Sequence, residues 1–497
     1  MSFFHSLLSE GVAFYVRPAG TTYGTGDGLS YDNAWSGNAG IDWEAIPPKA
    51  ILYGAGNWFE SLSVENSDIT LRSLIADPWI FTGDFLINTA ISIIGKSNII
   101  LTDIVTSFTL VNGFYFENCT NVITNNCEGS NTGNQGFQHI GTTTFTHNNP
   151  IARNNGDDGI SVHDAGIGII NGGIFDGNLQ NINIIATAQV IINDNPTFVG
   201  VSDYDLYVTN ATTPNSSTIT MNGGTVRNVN ADIGGRLILN DVVVTGTTNV
   251  SQDTGAGSLV GIRSIFIGQF NNWTGGTITL TRCHVSLWGT VVGVVSLSHC
   301  NILSNLATAA TLTAEYCFFD GTGTTNELLD ITSGGSAQLK YCIFTKPAAL
   351  QFCLAFRTGA LASSVNNCAF IGSGNVGRGL FTQIDLTTNN NIAFDFEIGY
   401  FRSAGTSILN NWCFNDCNTA KSGTVTSNNE VTGNPLFTNV ATNDYSLLPG
   451  SSCIGTGADL GDTYDGGIES ANWGDDEVVP ELTTGLQAAN WNIGAYI

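Results

Sequence analysis

A short motif returns at a nearly fixed interval through the first half of the chain. Gly113-Phe114-Tyr115-Phe116, Gly136-Phe137-Gln138-His139, Gly159-Ile160-Ser161-Val162, Asn181-Ile182-Asn183-Ile184 and Asp205-Leu206-Tyr207-Val208 begin 23, 23, 22 and 24 residues apart. Each is a turn-permissive residue followed by an apolar–any–apolar triplet, the alternation of a half-buried strand. A coil of that length cannot bury its apolar side alone, so a fixed period demands that coils stack into a solenoid. The ladder predicts that Phe114, Phe137, Ile160, Ile182 and Leu206 lie one above another.

Each coil carries a second register. Val122-Ile123-Thr124-Asn125, Thr144-Phe145-Thr146-His147, Ile169-Ile170-Asn171, Ile191-Ile192-Asn193 and Thr220-Met221-Asn222 place a polar residue, mostly Asn, after a short apolar strand. Asn tolerates the left-handed corner, and its amide can bond the Asn of the next coil. On this pattern His147 substitutes for Asn in the ladder. A third series runs further along: Leu280-x-x-Cys283-x-Val285, Leu297-x-x-Cys300-x-Ile302, Ala314-x-x-Cys317-x-Phe319, Leu339-x-x-Cys342-x-Phe344 and Val365-x-x-Cys368-x-Phe370. It continues, with the Cys replaced, at Ile392-x-Phe394 and Trp412-x-Phe414. A helical period of 3.6 fits none of these windows.

Composition agrees: Gly 59 and Pro 11, with few long charged side chains, suit short strands joined by many corners. The fold class is therefore all-β, a parallel β-helix of roughly 20 coils at about 4.8 Å each. That spacing gives a rod on the order of 90 Å long. Residues 1–15 read as a lead segment for attachment, 16–60 as an N-terminal cap, 61–430 as the coils, and 431–497 as a C-terminal closing segment. A solenoid needs its ends covered, since open coil edges pair with other chains.

A net charge of −26, with only 15 Lys plus Arg, argues against nucleic acid as a partner. It also disfavours polyanionic glycans without bridging metal ions, while neutral or amino-bearing sugars remain compatible. Of the 11 cysteines, Cys283, Cys300, Cys317, Cys342 and Cys368 share one inward slot, where a thiol acts as a small stacked hydrophobe. An odd total without a short Cys-dense framework does not read as a disulfide scaffold. Cys413 and Cys417 lack a second ligand pair for zinc. The first ten residues, MSFFHSLLSE, have neither the basic and apolar regions nor the cleavage site of an export signal, and no apolar run reaches membrane-spanning length. These features lead to the expectation of synthesis in a reducing host cytoplasm, without membrane insertion, followed by assembly into a virus particle.

The coils resemble right-handed parallel β-helix proteins of the pectin-lyase-like class. Asn434-Pro435-Leu436-Phe437, Asn443-Asp444-Tyr445-Ser446-Leu447, Pro449-Gly450-Ser451-Ser452, Ile454-Gly455-Thr456-Gly457 and Ile493-Gly494-Ala495-Tyr496 are similar to the closing segment of bacterial and viral members. Tyr15 to Ala34 resembles their opening. The resemblance implies the right-handed fold and leaves activity open, because the fold hosts lyases, hydrolases and binding rods. Asp459, Asp462, Asp465, Asp475, Asp476 and Glu477 would form a calcium site only if several of their oxygens converged. A solvated acidic cap is the simpler expectation. No cofactor and no resident metal is called for.

The candidate for chemistry is the stretch Arg153 to Asp164. Asp157 and Asp158, adjacent at a coil corner, resemble the Gly-Asp-Asp turns of β-helix glycosidases, in which one acid protonates the leaving oxygen and another activates water. His163 and Asp164 complete the catalytic set. His139, one coil before His163, is placed with Arg153, Asp176, Tyr204 and Tyr207 among the substrate-binding residues. Trp273 and Trp288 are further aromatic candidates for a sugar cleft. The Asn-Thr-Asp and Arg-x-Lys motifs of those glycosidases have no counterpart, and corner capping by Asp157 and Asp158 is the competing explanation. The expected protein is a phage-tailspike-like homotrimer that binds host cell-surface polysaccharide and carries a corner suited to cleaving it. Residues 1–15 would attach it to other virion proteins. The alternatives are a secreted bacterial polysaccharide-degrading enzyme and a non-catalytic structural rod.

Overall fold

The computed structural model describes residues 11–200, 203–210, 217–250, 257–272, 275–304, 306–322, 327–345, 351–487 and 490–497. The chain divides into two compact units, Met1–Ile238 and Leu239–Ile497. Both are β-structure; the helices among the described residues are 3-10 turns of three residues each. None is long and apolar enough to cross a membrane. The chain winds as a parallel β-solenoid of about 16 turns. The larger expectation came from dividing the whole length by one period, which counted residues that do not wind.

In unit 1 the predicted column is present. Phe114 pairs in parallel register with Phe137, Phe137 with Ile160, Ile160 with Ile182, and Ile182 with Leu206. All five are fully buried, and the Phe114 and Phe137 rings stack at 4.7 Å. Burying a side chain of this size stabilises by about 1.5–3 kcal/mol. These strands form one wall, sheet C. Sheet A is built from Thr120–Asn125, Thr144–Asn148, Ile167–Asn171 and Gln189–Asn193. A short sheet B, with Glu128–Ser130, Ile151–Arg153 and Ile174–Asp176, completes each turn.

The amide ladder on sheet A differs from expectation by one rung. Asn148 Nδ2 donates to Asn125 Oδ1 at 2.9 Å, Asn171 to Asn148 at 2.9 Å, and Asn193 to Asn171 at 3.1 Å. Asn148, not His147, therefore holds the ladder position. His147 pairs with Thr124 and Ile170 in the neighbouring strands and points inward. The alternation of side chains along a strand forces this, since adjacent residues cannot share a face. The left-handed corner residues are also the next ones along, Asn126 (φ 51) and Asn149 (φ 49). The corner residues add a second, exposed ladder of their own, Asn149 Nδ2 donating to Asn126 Oδ1 at 3.4 Å and Asn126 Nδ2 to Asp103 Oδ1 at 3.0 Å.

In unit 2 the inward thiol slot is observed: Cys283, Cys300, Cys317, Cys342 and Cys368 are fully buried, and all eleven cysteines are free thiols. Beside them runs a second inward column, Val285–Ile302–Phe319–Phe344–Phe370, with Phe344 and Phe370 stacked at 5.1 Å. It continues through Ala393 to Phe414, not through Phe394. Phe394 lies on the opposite face, packed against the closing segment.

Residues 431–497 do not join the winding beyond the short strand Val431–Thr432. They form two antiparallel pairs, Phe437–Asn439 with Asp444–Leu447 and Gly466–Asn472 with Glu481–Leu486. The segment folds back over the outer side of unit 2, where Phe318, Ile343, Ala369, Ile392 and Cys413 stand in register. Tyr445, Trp473, Ile493 and Tyr496 cover that column, with Trp473 stacked on Phe318 at 5.0 Å. Backbone carbonyls of the segment accept from the winding part: Asn390 Nδ2 donates to Ala458 O at 2.8 Å and Asn411 Nδ2 to Thr456 O at 3.0 Å.

Candidate functional site

The middle residue of each ladder triplet faces outward on sheet C of unit 1. Tyr115, Gln138, Ser161, Asn183 and Tyr207 are register partners on successive strands. Two tyrosines thus end a row of amide and hydroxyl groups about 19 Å long. Asp158 pairs with Gln180, and Gln180 with Tyr204, along the leading edge of the same strands. Tyr204 and Tyr207 stack at 5.8 Å, both half-buried.

Close backbone approach forms the corner that presents the two aspartates. A Cβ at Gly156 would meet Gly133 O at 2.2 Å and one at Gly159 would meet Asn181 O at 2.6 Å, so only glycine fits on either side of the pair. Behind the corner, Asn155 Nδ2 donates to Asn178 Oδ1 at 2.9 Å, and Asn178 Nδ2 donates to Asn181 Oδ1 at 2.8 Å. These buried amides hold consecutive corners in line.

Asp157 is half-buried, and its Oδ2 accepts from Gln135 Nε2 at 3.0 Å. Asp158 is only 1% exposed. Its Oδ2 accepts from Asn183 Nδ2 at 3.0 Å, while Oδ1 is buried without a hydrogen-bond partner. Burial, reinforced by the neighbouring Asp157 charge, pushes the Asp158 carboxyl up to about 7, against the opposing pull of Ser161, Asn183 and Gln135. Gln180 Oε1 and Asn183 Oδ1 are also buried acceptors without a donor. Two further unpaired oxygens therefore accompany an acid that is about half protonated near neutrality.

The other sequence candidates fall in different places. His163 is half-buried on the outer wall, with Nε2 3.0 Å from Ser161 Oγ. Burial lowers its pKa, opposed by Asp164 and Asp157. Asp164 is exposed and takes a left-handed conformation (φ 58), and its Oδ2 accepts from Gly141 N at 3.1 Å. Arg153 and Asp176 are neighbours in sheet B, before the corner and not on the Asp158 wall. His139 and His163 do not project together. His139 pairs with Val162, faces the core at 0% exposure and stacks on Phe116 and Phe145 at 4.7 and 3.8 Å. Its Nε2 lies 2.9 Å from His147 Nε2, and burial holds both imidazoles neutral. A side chain inside the winding cannot touch a sugar outside it.

Trp288 is a core residue packed on Phe270 at 4.7 Å, and Trp273 lies outside the described residues. In the C-terminal segment, Asp459 Oδ1 accepts from Gly461 N at 2.8 Å, and Asp475 Oδ1 accepts from Glu477 N and Val478 N at 2.8 and 2.9 Å. These carboxylates cap turns. Gln135, Gln138, Ser161, Gln180 and Asn183 were not singled out from sequence. Their signal was available: three of them are the unspecified middle or leading residues of the ladder motif, 22 or 23 residues apart.

No family model matches the chain, and no curated protein matches it. Among solved structures, one similar chain is the A-module of the Azotobacter vinelandii mannuronan C-5 epimerase AlgE6. The two share 14% identity over 85% of this chain and 89% of that one, with a TM-score of 0.28.

Proposed function

We propose that the outer wall of unit 1 binds a neutral cell-surface polysaccharide and that the Asp157–Asp158 corner hydrolyses it. The observation that carries this is Asp158: a carboxyl lifted to about 7 by burial, with its own Oδ1 unpaired, beside a second carboxylate and two further buried oxygens without donors, Gln180 Oε1 and Asn183 Oδ1. Sugar hydroxyls are the donors such oxygens lack. Tyr204 and Tyr207 supply ring faces beside them. Asp158, about half of it protonated at neutral pH, gives its proton to the leaving glycosidic oxygen, and Asp157, anchored by Gln135, is the second carboxylate of the pair. Ser161 and His163 position Asp158 from the same strand, and Asp164 steadies the strand end. Arg153 and Asp176 flank the approach. His139 has no part in this site.

The same proposal places the protein on a virus particle as a glycan-binding appendage, self-associated as a homotrimer, with residues 1–15 for attachment; residues 1–10 lie outside the described residues. The free thiols support folding in a reducing compartment. The test is release of reducing ends from envelope polysaccharide by purified protein. Asp158→Asn should lower it on the order of 10²-fold or more, with polysaccharide binding retained. Unchanged turnover in Asp157→Asn and Asp158→Asn would leave a binding rod in place of a hydrolase. Antibody labelling that finds the protein only off the particles would remove the appendage.

A further inference from the structure

Across six strands of one outer face of unit 1, from Ser97–Thr102 to Ser217–Asn222, no outward side chain is charged. Asp68 and Arg72 at the strand before them and Arg236 on a strand after them bound the stretch. On sheet A the outward residues come from six strands in parallel register. Its central column is Ile100, Ile123, Thr146, Ile169, Ile191 and Thr220. The flanking columns are Asn98, Asn121, Thr144, Ile167, Gln189 and Thr218 on one side, and Thr102, Asn125, Asn148, Asn171, Asn193 and Asn222 on the other. Among the described residues nothing covers the middle of it: Ile167, Ile169 and Ile191 are 54%, 38% and 43% exposed. Isoleucines this exposed, contiguous and flat form the kind of patch that marks an interaction surface. The other outer walls of unit 1 do carry charge, with Glu117, Asp157 and His163 on sheet C and Glu128, Arg153 and Asp176 on sheet B.

We propose that this face is where copies of the chain associate with one another. Two chains of net charge −26 repel wherever their acidic walls meet, so self-association needs a surface that brings no carboxylates together. The sheet A face meets that requirement and offers β-branched side chains and hydroxyls that interdigitate between flat sheets. The footprint in unit 1 is roughly 500 Å² per copy from strand spacing and rise. Two such footprints bury roughly 1,000 Å² in total, the lower bound for a specific protein–protein contact. The inference deepens the self-association within the proposed function by naming its surface, and it is independent of the carboxylate chemistry.

Sedimentation equilibrium of the full chain tests it. Wild type should have a mass several times that of one chain. Ile169→Glu with Ile191→Glu should weaken association at least tenfold, while Ile151→Glu with Ile174→Glu, which adds the same charge on sheet B, should leave the mass unchanged. If the double variant fails to fold by circular dichroism, Thr146→Lys at the same face gives the same reading. A single-chain mass for wild type at micromolar concentration, or face variants that keep the wild-type mass, would overturn the proposal. So would face variants that keep the mass and lose polysaccharide binding, because the occupant would then be sugar. Reducing-end release per chain should persist in dissociated variants; its loss in Asp158→Asn alone reports on the hydrolase and not on this face.

Discussion

The two units wind alike inside and differ outside. Unit 1 lines its sheet C wall with Tyr115, Gln138, Ser161, Asn183 and Tyr207, a row of polar and tyrosine side chains in which Ser161 and Asn183 are themselves buried. Unit 2 lines an outer column with Phe318, Ile343, Ala369, Ile392 and Cys413, and residues 431–497 lie over it. The interior of a stacked coil accepts whatever apolar side chains repeat, Phe114 over Phe137 in one unit and Phe344 over Phe370 in the other. The outer residue of each triplet is free to vary, so it records what the wall faces: a polar surface in unit 1, the protein's own tail in unit 2.

The largest expected effect follows from that contrast. Trp473 is 6% exposed and stacks on Phe318, so Trp473→Ala should destabilise unit 2 by about 3–5 kcal/mol, read from the urea midpoint. Gln138→Ala on the polar wall of unit 1, which leaves the buried Asn112 amide without its acceptor, should cost only about 1–2 kcal/mol. Comparable losses would mean that the closing segment does not bear on the column as described.

Acidity separates two groups within unit 1. The His139–His147 pair is buried among Phe116, Phe137 and Phe145, with Thr124 Oγ1 2.6 Å from His147 Nδ1. Burial holds His147 down at about 3, and His139 lies below its usual value for the same reason. The unfolded histidines titrate near 6.5, so as pH falls below that value the unfolded state takes up protons that the folded state refuses. Each histidine then costs unit 1 up to about 1.4 kcal/mol per pH unit. Asp158 acts oppositely. Its folded value of about 7 lies above its unfolded one, so its contribution is full at low pH and is lost as pH rises toward 7. Asp158→Asn should therefore stabilise unit 1 at pH 8 by about 1–3 kcal/mol, while His139→Phe with His147→Val should flatten the acid limb. Thermal melts from pH 4 to 8 distinguish them; a melt in either variant that parallels wild type would break the assignment. The hydrolysis rate, which needs the protonated acid, should decline above about pH 7 with the same residue.

Inward columns were legible because one environment recurs every coil and selects one kind of residue. The thiol slot at Cys283 to Cys368 and the Phe114 ladder could be read directly for that reason. Phe394 and His147 misled by a single position, which in a strand exchanges inside for outside. The Asp158 surroundings were not legible: Gln135 and Asn183 reach it from the coils on either side, and polar residues carry no apolar period to count. The seat of the closing segment did leave a trace. Cys317-Phe318-Phe319 and Cys342-Ile343-Phe344 are apolar on consecutive residues, the mark of a strand buried on both faces.

The smallest effect tests whether the units differ only on their outer walls. Both carry an amide ladder on sheet A. Asn171 donates to Asn148 at 2.9 Å and accepts from Asn193 at 3.1 Å; Asn389 donates to Asn366 at 2.7 Å and accepts from Asn410 at 2.8 Å. Each amide sits between two others and is half-buried, so each loses one donated and one accepted bond when cut to Ala. Asn171→Ala and Asn389→Ala should each cost about 1 kcal/mol, measured as the shift in the urea midpoint of the unit that carries the change. Equal costs follow if a ladder rung depends only on the coils above and below it. A cost at Asn389 twice that at Asn171 would mean that the tail covering unit 2 also tightens its far wall, and the division between a shared interior and independent exteriors would fail.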